Sequence, residues 1–164
     1  MFDYVCSAPL DATIDSRQVR GGVAREELTY HGPAGGRVSA TLPSTEAALP
    51  PGVVFLHWGF GNRSSFLEEA RLYAAAGAMA LLIDAAGMGA RGRGLPRLGD
   101  ANVARSFLHQ CVTHLRRGID LLTARGADPT RPINCSRASC ATRSEAMPKT
   151  CCDLQRKSCS GPWA

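Results

Sequence analysis

The chain has 164 residues, 45% of them apolar and 20% charged, which suits one soluble globular domain and excludes a fibrous or compositionally disordered polymer. Its net charge of +5 divides into +2 over residues 1–132 (14 basic, 12 acidic) and +3 over residues 133–164 (5 basic, 2 acidic), so the basicity belongs largely to the end of the chain. The nearest cationic cluster, Arg91, Arg93 and Arg97, lies in a glycine-rich loop without aromatic readers, so no nucleic-acid partner is expected.

Residues 1–17 carry little pattern and are expected to form a loose N-terminal arm, leaving 18–132 as the domain and 133–164 as a tail. Gln18 to Tyr30 and Gly36 to Leu42 read as two half-buried strands around the turn signal His31-Gly32-Pro33, an antiparallel hairpin at a sheet edge. Pro43 to Gly52 is a surface loop. Val53 to His57 is apolar without alternation, the pattern of a strand covered on both faces in a parallel sheet. Ser65 and Glu68 have capping-box spacing. Phe66, Ala70 and Tyr73 then share a helical stripe, and Gly77 supplies a left-handed stop. Ala78 to Asp84 is a second buried strand.

After a glycine-rich loop, Asp100 caps a long helix with Val103, Phe107, Cys111, Leu115, Gly118 and Leu122 recurring at helical spacing and Gly126 at its end. His109, Cys111 and His114 lie two or three positions apart on it, a poor spacing for metal ligands, and read as plain helix surface. The alternation of strand and helix predicts a further parallel strand near Arg131, but Ile133-Asn134-Cys135-Ser136-Arg137 is too polar for a central one. The composition also changes here. Residues 1–132 hold 14 arginines and no lysine, whereas the tail holds Lys149, Lys157 and five of the seven cysteines, Cys135, Cys140, Cys151, Cys152 and Cys159.

Two stretches resemble the α/β-hydrolase superfamily, most closely its dienelactone-hydrolase-like and acyl-esterase branches. They are Val53-Val54-Phe55-Leu56-His57-Trp58-Gly59-Phe60-Gly61 and Leu81-Leu82-Ile83-Asp84-Ala85-Ala86-Gly87-Met88-Gly89-Ala90-Arg91-Gly92. The resemblance spans roughly residues 18–131. It implies an α/β fold, here an incomplete α/β-hydrolase fold with a mostly parallel sheet, the antiparallel N-terminal hairpin and a disordered C-terminal tail. It also implies hydrolysis of a small ester, lactone or other acyl substrate by a serine, an acid and a histidine in that chain order, without a cofactor. The backbone of Trp58, Gly59 and Phe60 would supply an oxyanion donor. His57 and Asp84 would order the loops rather than act in catalysis.

No Gly-x-Ser-x-Gly occurs in the chain and no histidine follows His114, so no catalytic residue is assigned and the chain is expected to be inactive. Translation in a shifted frame is expected to account for the tail. Ala141-Thr142-Arg143-Ser144-Glu145-Ala146 can be encoded GCC ACT CGT TCG GAG GCG, and codons begun at each third base read His-Ser-Phe-Gly-Gly, the core of a nucleophile turn. The residue before that His would be Cys or Arg, where the family prefers Gly. A frameshift in or near codons 131–135 is therefore expected to have truncated a hydrolase, leaving an unpaired apolar strand edge and marginal stability.

The contrasting reading is a non-catalytic interaction module with a zinc-binding cysteine tail. Its spacings, Cys135-x4-Cys140 and Cys151-Cys152-x6-Cys159, lack the paired Cys-x2-Cys of structural zinc sites, so no metal is assigned. No run reaches the ~20 apolar residues of a membrane span, and Met1-Phe2-Asp3-Tyr4 lacks the cationic start of a secretory signal. No membrane contact, a cytoplasmic location and reduced thiols are expected.

Overall fold

The computed structural model describes residues 4–135 apart from Ala34, Trp58, Ala90, Arg91, Arg93, Gly94, Leu95, Arg97 and Leu98, and for residues 131–135 it describes the backbone alone. The disordered-tail and zinc readings of residues 136–164 lie outside the described residues, as do the Arg91, Arg93 and Arg97 cluster and the Trp58 donor.

Among the described residues, six strands form one sheet. They are β1 (Thr13–Arg20), β2 (Val23–His31), β3 (Arg37–Ser44), β4 (Pro51–Leu56), β5 (Met79–Ile83) and β6 (Asp128–Cys135), in the spatial order β1-β2-β3-β5-β4-β6. β1–β2, β2–β3 and β3–β5 are antiparallel, while β5–β4 and β4–β6 are parallel. The sheet is thus mixed rather than mostly parallel. Short turns make β1–β2 and β2–β3 antiparallel, whereas the helical crossovers through α1 and α2 let β5 and β6 run parallel to β4.

The expected strand from Gln18 to Tyr30 is in fact two strands. Gly21 and Gly22 both adopt positive φ, 59° and 76°, and form the two-residue hairpin turn that such angles allow. β1 starts at Thr13, inside the stretch read as an arm, and all eight of its residues are exposed, so no apolar alternation marked it. Residues 4–11 are not loose either. The Arg117 guanidinium, 2% exposed, donates to the carbonyls of Cys6 (2.9 Å) and Ala8. The Tyr4 hydroxyl donates to Asp120 Oδ2 at 2.8 Å, and Arg116 lies 5.5 Å from the Tyr4 ring centroid. Burial and the Asp120 carboxylate together raise the Tyr4 phenol above its usual pKa.

A 3-10 turn, Arg63–Phe66, leads into α1 (Leu67–Ala75). The capping box sits one turn earlier than the Ser65–Glu68 spacing suggested. Asn62 Oδ1 accepts from Ser64 N at 2.8 Å and Ser65 Oγ from Asn62 N at 3.1 Å. Asn62 wins because its side chain reaches the first orphan N–H groups, those of the 3-10 turn. α2 (Ala101–Ala124) is capped as expected, with Asp100 Oδ1 accepting from Asn102 N (2.8 Å) and Val103 N (3.3 Å). Gly77 and Gly126 end the two helices at φ 89° and 92°, as their left-handed conformation requires.

The helices cover opposite faces, which explains the unalternating apolar strands. Val53, Phe55, Ala80 and Leu82 face α1, where the Phe55 ring lies 6.0 Å from Phe66 and 5.7 Å from Tyr73. Val54, Leu81 and Ile83 face α2 with Leu28, Tyr30, Val38, Leu121 and Leu122. Along α2, Cys111, Gly118 and Leu122 are buried as the stripe predicted, but Val103 is 38% exposed and the buried row also includes His114, Arg117 and Leu121. Cys111 and His114 are therefore not surface residues. One side of the helix meets the sheet and another meets the N-terminal segment.

Gly118 marks the closest helix–sheet approach, where an added Cβ would stand 2.9 Å from Leu81 Cδ2 and 3.2 Å from Tyr30 Oη. The helix-propensity gain of a glycine-to-alanine change, about 1 kcal/mol, is outweighed by overpacking of about 1–3 kcal/mol. Gly118→Ala is expected to lower the urea midpoint, whereas the same change at an open helix site raises it.

β6 runs beside β4 with Val53 opposite Ile133 and Phe55 opposite Cys135, after an irregularity near Pro51 and Asp128. The expected strand thus starts at Asp128 and continues through Cys135, so the boundary read at residue 132 falls inside it. It is outermost among the described strands, where polar residues such as Asn134 are compatible with backbone pairing.

A candidate active-site loop

The sheet register brings three strand ends to one edge. Leu56 of β4 pairs with Ile83 of β5, and Phe55 pairs with Cys135 of β6. The carboxyl ends of parallel strands are where open α/β sheets bind ligands, and both sequence motifs empty onto that edge.

His57 follows β4 and is 6% exposed. Its Nε2 accepts from the Ala85 backbone N–H at 3.0 Å, which places the ring proton of the neutral imidazole on Nδ1. This bond ties the end of β4 to the end of β5. Asp84, fully buried, holds the far side of the same loop. Its Oδ1 accepts from Arg63 N at 2.8 Å and its Oδ2 from Arg63 Nη1 at 2.6 Å. Arg63 Nε also reaches Glu27 Oε2 at 3.4 Å. Glu27 in turn accepts from Thr41 Oγ1 at 2.8 Å and from Arg25 Nη2 at 2.6 Å. Burial opposes the Arg63 charge, but the bonds and charges of Asp84 and then Glu27 outweigh it and raise the guanidinium above its usual pKa.

Two glycines make this packing possible. A Cβ on Gly61 would lie 2.7 Å from Ser65 Oγ and 3.0 Å from His57 Cβ, and one on Gly89, at φ +56°, would lie 2.2 Å from Asp84 Oδ1. Between the anchors at His57 and Arg63, Gly59 and Phe60 form a turn, with the Phe60 side chain 90% exposed. The structure therefore brings His57, Asp84, Gly59 and Phe60 to one loop. The sequence reading missed Arg63, Glu27 and Thr41, whose partners lie 14 to 36 positions apart. The one available signal was a glutamate pair, Glu26-Glu27, within a half-buried strand. Among the described residues, no group of three or more His, Cys, Asp or Glu side chains gathers to hold a metal, and no helix is long and apolar enough to cross a membrane.

Comparison with solved structures finds this topology in esterases. An acetyl xylan esterase from a Paenibacillus species superposes with a TM-score of 0.62 at 20% identity, over 78% of this chain and 46% of its own. Acetyl xylan esterase 1 from a Thermoanaerobacterium species matches with 0.62 at 16%, over 77% and 44%. A dienelactone hydrolase-like promiscuous phosphotriesterase from metagenomic libraries matches with 0.50 at 23%, over 70% and 48%. The chain shares the fold of part of these esterases. It spans less than half the length of these esterases. No protein-family model and no curated relative matches the sequence. In this fold the α1 and α2 crossovers place the His57 loop, the Asp84 loop and the end of β6 side by side.

Proposed function

We propose that this chain holds the scaffold and half of the anion-binding site of a serine hydrolase acting on a small ester, lactone or similar acyl bond. The supporting observation is that β4, which leads into the clamped Gly59–Phe60 turn, ends beside the carboxyl end of β6, with Phe55 opposite Cys135. In an α/β hydrolase the nucleophile turn follows a strand at this position and contributes the second oxyanion N–H. The backbone N–H groups of Trp58, Gly59 or Phe60 supply the first. Such a donor meets negative charge as it develops on the carbonyl oxygen and lowers the barrier by ~3 kcal/mol. The His57 ring and the Asp84 carboxylate hold the loop. Neither attacks the substrate, since His57 Nε2 is occupied by the Ala85 N–H and Asp84 by Arg63.

The attacking serine and the proton-accepting histidine are absent from this polypeptide, and the residues after Cys135 are the product of a shifted frame. The identities of residues 141–146 support this, since codons exist for them that read His-Ser-Phe-Gly-Gly one frame away. Without a nucleophile and a base, the donors of a complete oxyanion hole keep only a small remainder of the enzymatic acceleration, and half of one keeps less. The purified 164-residue chain is therefore expected to hydrolyse p-nitrophenyl acetate no faster than heat-denatured protein. Sequencing the coding DNA for about 200 codons beyond Arg131 is expected to reveal a serine turn followed by an acid and a histidine in an alternative frame. An open alternative frame without them, or turnover abolished by one substitution within the chain, would overturn the proposal.

A further inference from the structure

We infer that Glu27, on the antiparallel strand β2, positions the anion-binding turn by fixing the plane of the Arg63 guanidinium. Asp84 alone already gives Arg63 a fully buried carboxylate partner. The second acid, whose side chain is 23% exposed, adds direction rather than neutrality. Its charge is itself matched by Arg25 at 2.6 Å, and its Oε2 is fixed by Thr41 Oγ1 at 2.8 Å, so Arg63 meets an acceptor already held by β2 and β3.

A guanidinium is a rigid planar fork. With Nη1 on Asp84 and Nε on Glu27, two acceptors on different elements fix its orientation. The backbone N–H of Arg63 adds a third point on Asp84 Oδ1. Residue 63 is thereby anchored to the N-terminal meander and to the loop after β5 together. The intervening stretch contains Gly59 and Gly61, which without fixed ends would sample a wide range of backbone angles. The meander, remote from the reacting edge in sequence, becomes the reference against which Gly59 and Phe60 are placed. This inference rests on the hydrolase reading for its purpose but not for its geometry.

The test is backbone 15N relaxation on the full chain. In the native protein the Gly59 and Phe60 amides should show order parameters in the rigid range, about 0.85. Glu27→Gln, which preserves shape but gives its one oxygen to Arg25 and its amide nitrogen to Thr41, offers Arg63 Nε no acceptor and should drop them below about 0.6 while Leu81 and Leu82 of β5 stay rigid. Glu27→Asp, which restores the charge, should recover part of the loss. Should Glu27→Gln fail to fold, Thr41→Val, which removes the hydroxyl that holds Glu27 Oε2 and leaves the Arg63–Asp84 pair intact, carries the same comparison. An unchanged turn in the folded variant, or equal loosening of β5 and the turn, would overturn the positioning role. Because this readout involves no turnover, it fails or succeeds independently of the coding-DNA test of the hydrolase reading.

Discussion

Asp84→Ala is expected to remove about 3–5 kcal/mol of folding stability, read as a fall in the urea midpoint followed by far-UV circular dichroism. The carboxylate is fully buried and accepts from both the backbone N–H and the guanidinium of Arg63. Truncation strips both donors of their acceptor at once and leaves a half-buried cation with Glu27 at 3.4 Å. It also opens the space into which Gly89 packs. Asp84→Asn keeps the shape and one carbonyl oxygen, so its cost should be smaller, about 1–3 kcal/mol. Since whole domains are stable by only about 5–15 kcal/mol, the alanine variant should sit near its unfolding transition at room temperature. A loss below ~1 kcal/mol would show that the carboxylate does not anchor the loop.

The second large effect is expected where the N-terminal segment meets α2. Arg117→Ala should cost about 3 kcal/mol, because the guanidinium is 2% exposed and its donors satisfy the carbonyls of Cys6 and Ala8 as well as Asp120. Alanine is the better helix former, but that gain, a few tenths of a kcal/mol, does not offset the loss. Deleting residues 1–9 should cost a similar amount for the converse reason, since it takes away the Cys6 and Ala8 carbonyls that the guanidinium bonds and the contacts of the segment itself. The two changes act on one contact, so the double variant should be little worse than either single one, a strongly non-additive cycle. Additive costs would mean that the N-terminal segment and Arg117 stabilise the fold independently.

The parts of the fold readable from sequence are those where burial writes a pattern. β4 and β5 are apolar on both faces because each is sandwiched between α1 and α2, and Asp100 and Gly126 bracket α2 because helix ends need a local cap. β1 was invisible since all eight of its residues are exposed, and a two-residue Gly21-Gly22 turn inside an unbroken polar-apolar run looked like one strand. The N-terminal segment looked loose because what holds it is a pair of its own carbonyls bonded to an arginine more than 100 positions away. The site divides in the same way. His57, Gly59, Phe60 and Asp84 were legible through resemblance in two contiguous motifs. The Glu27–Arg63 contact was not, because it joins β2 to the 3-10 turn after β4, which only the completed sheet brings together.

The sheet is assembled in an order that exposes it to risk as it leaves the ribosome. β1, β2 and β3 zip up with their sequence neighbours, but the free flank of β4, with Val53, Val54 and Phe55, receives β6 only after all of α2 has been synthesised. Until then the nascent chain offers an apolar strand edge, which invites pairing with other molecules. Holdase chaperones are expected to crosslink most strongly to ribosome-bound chains whose emerged length ends within α2, and less once Asp128–Cys135 has cleared the exit tunnel.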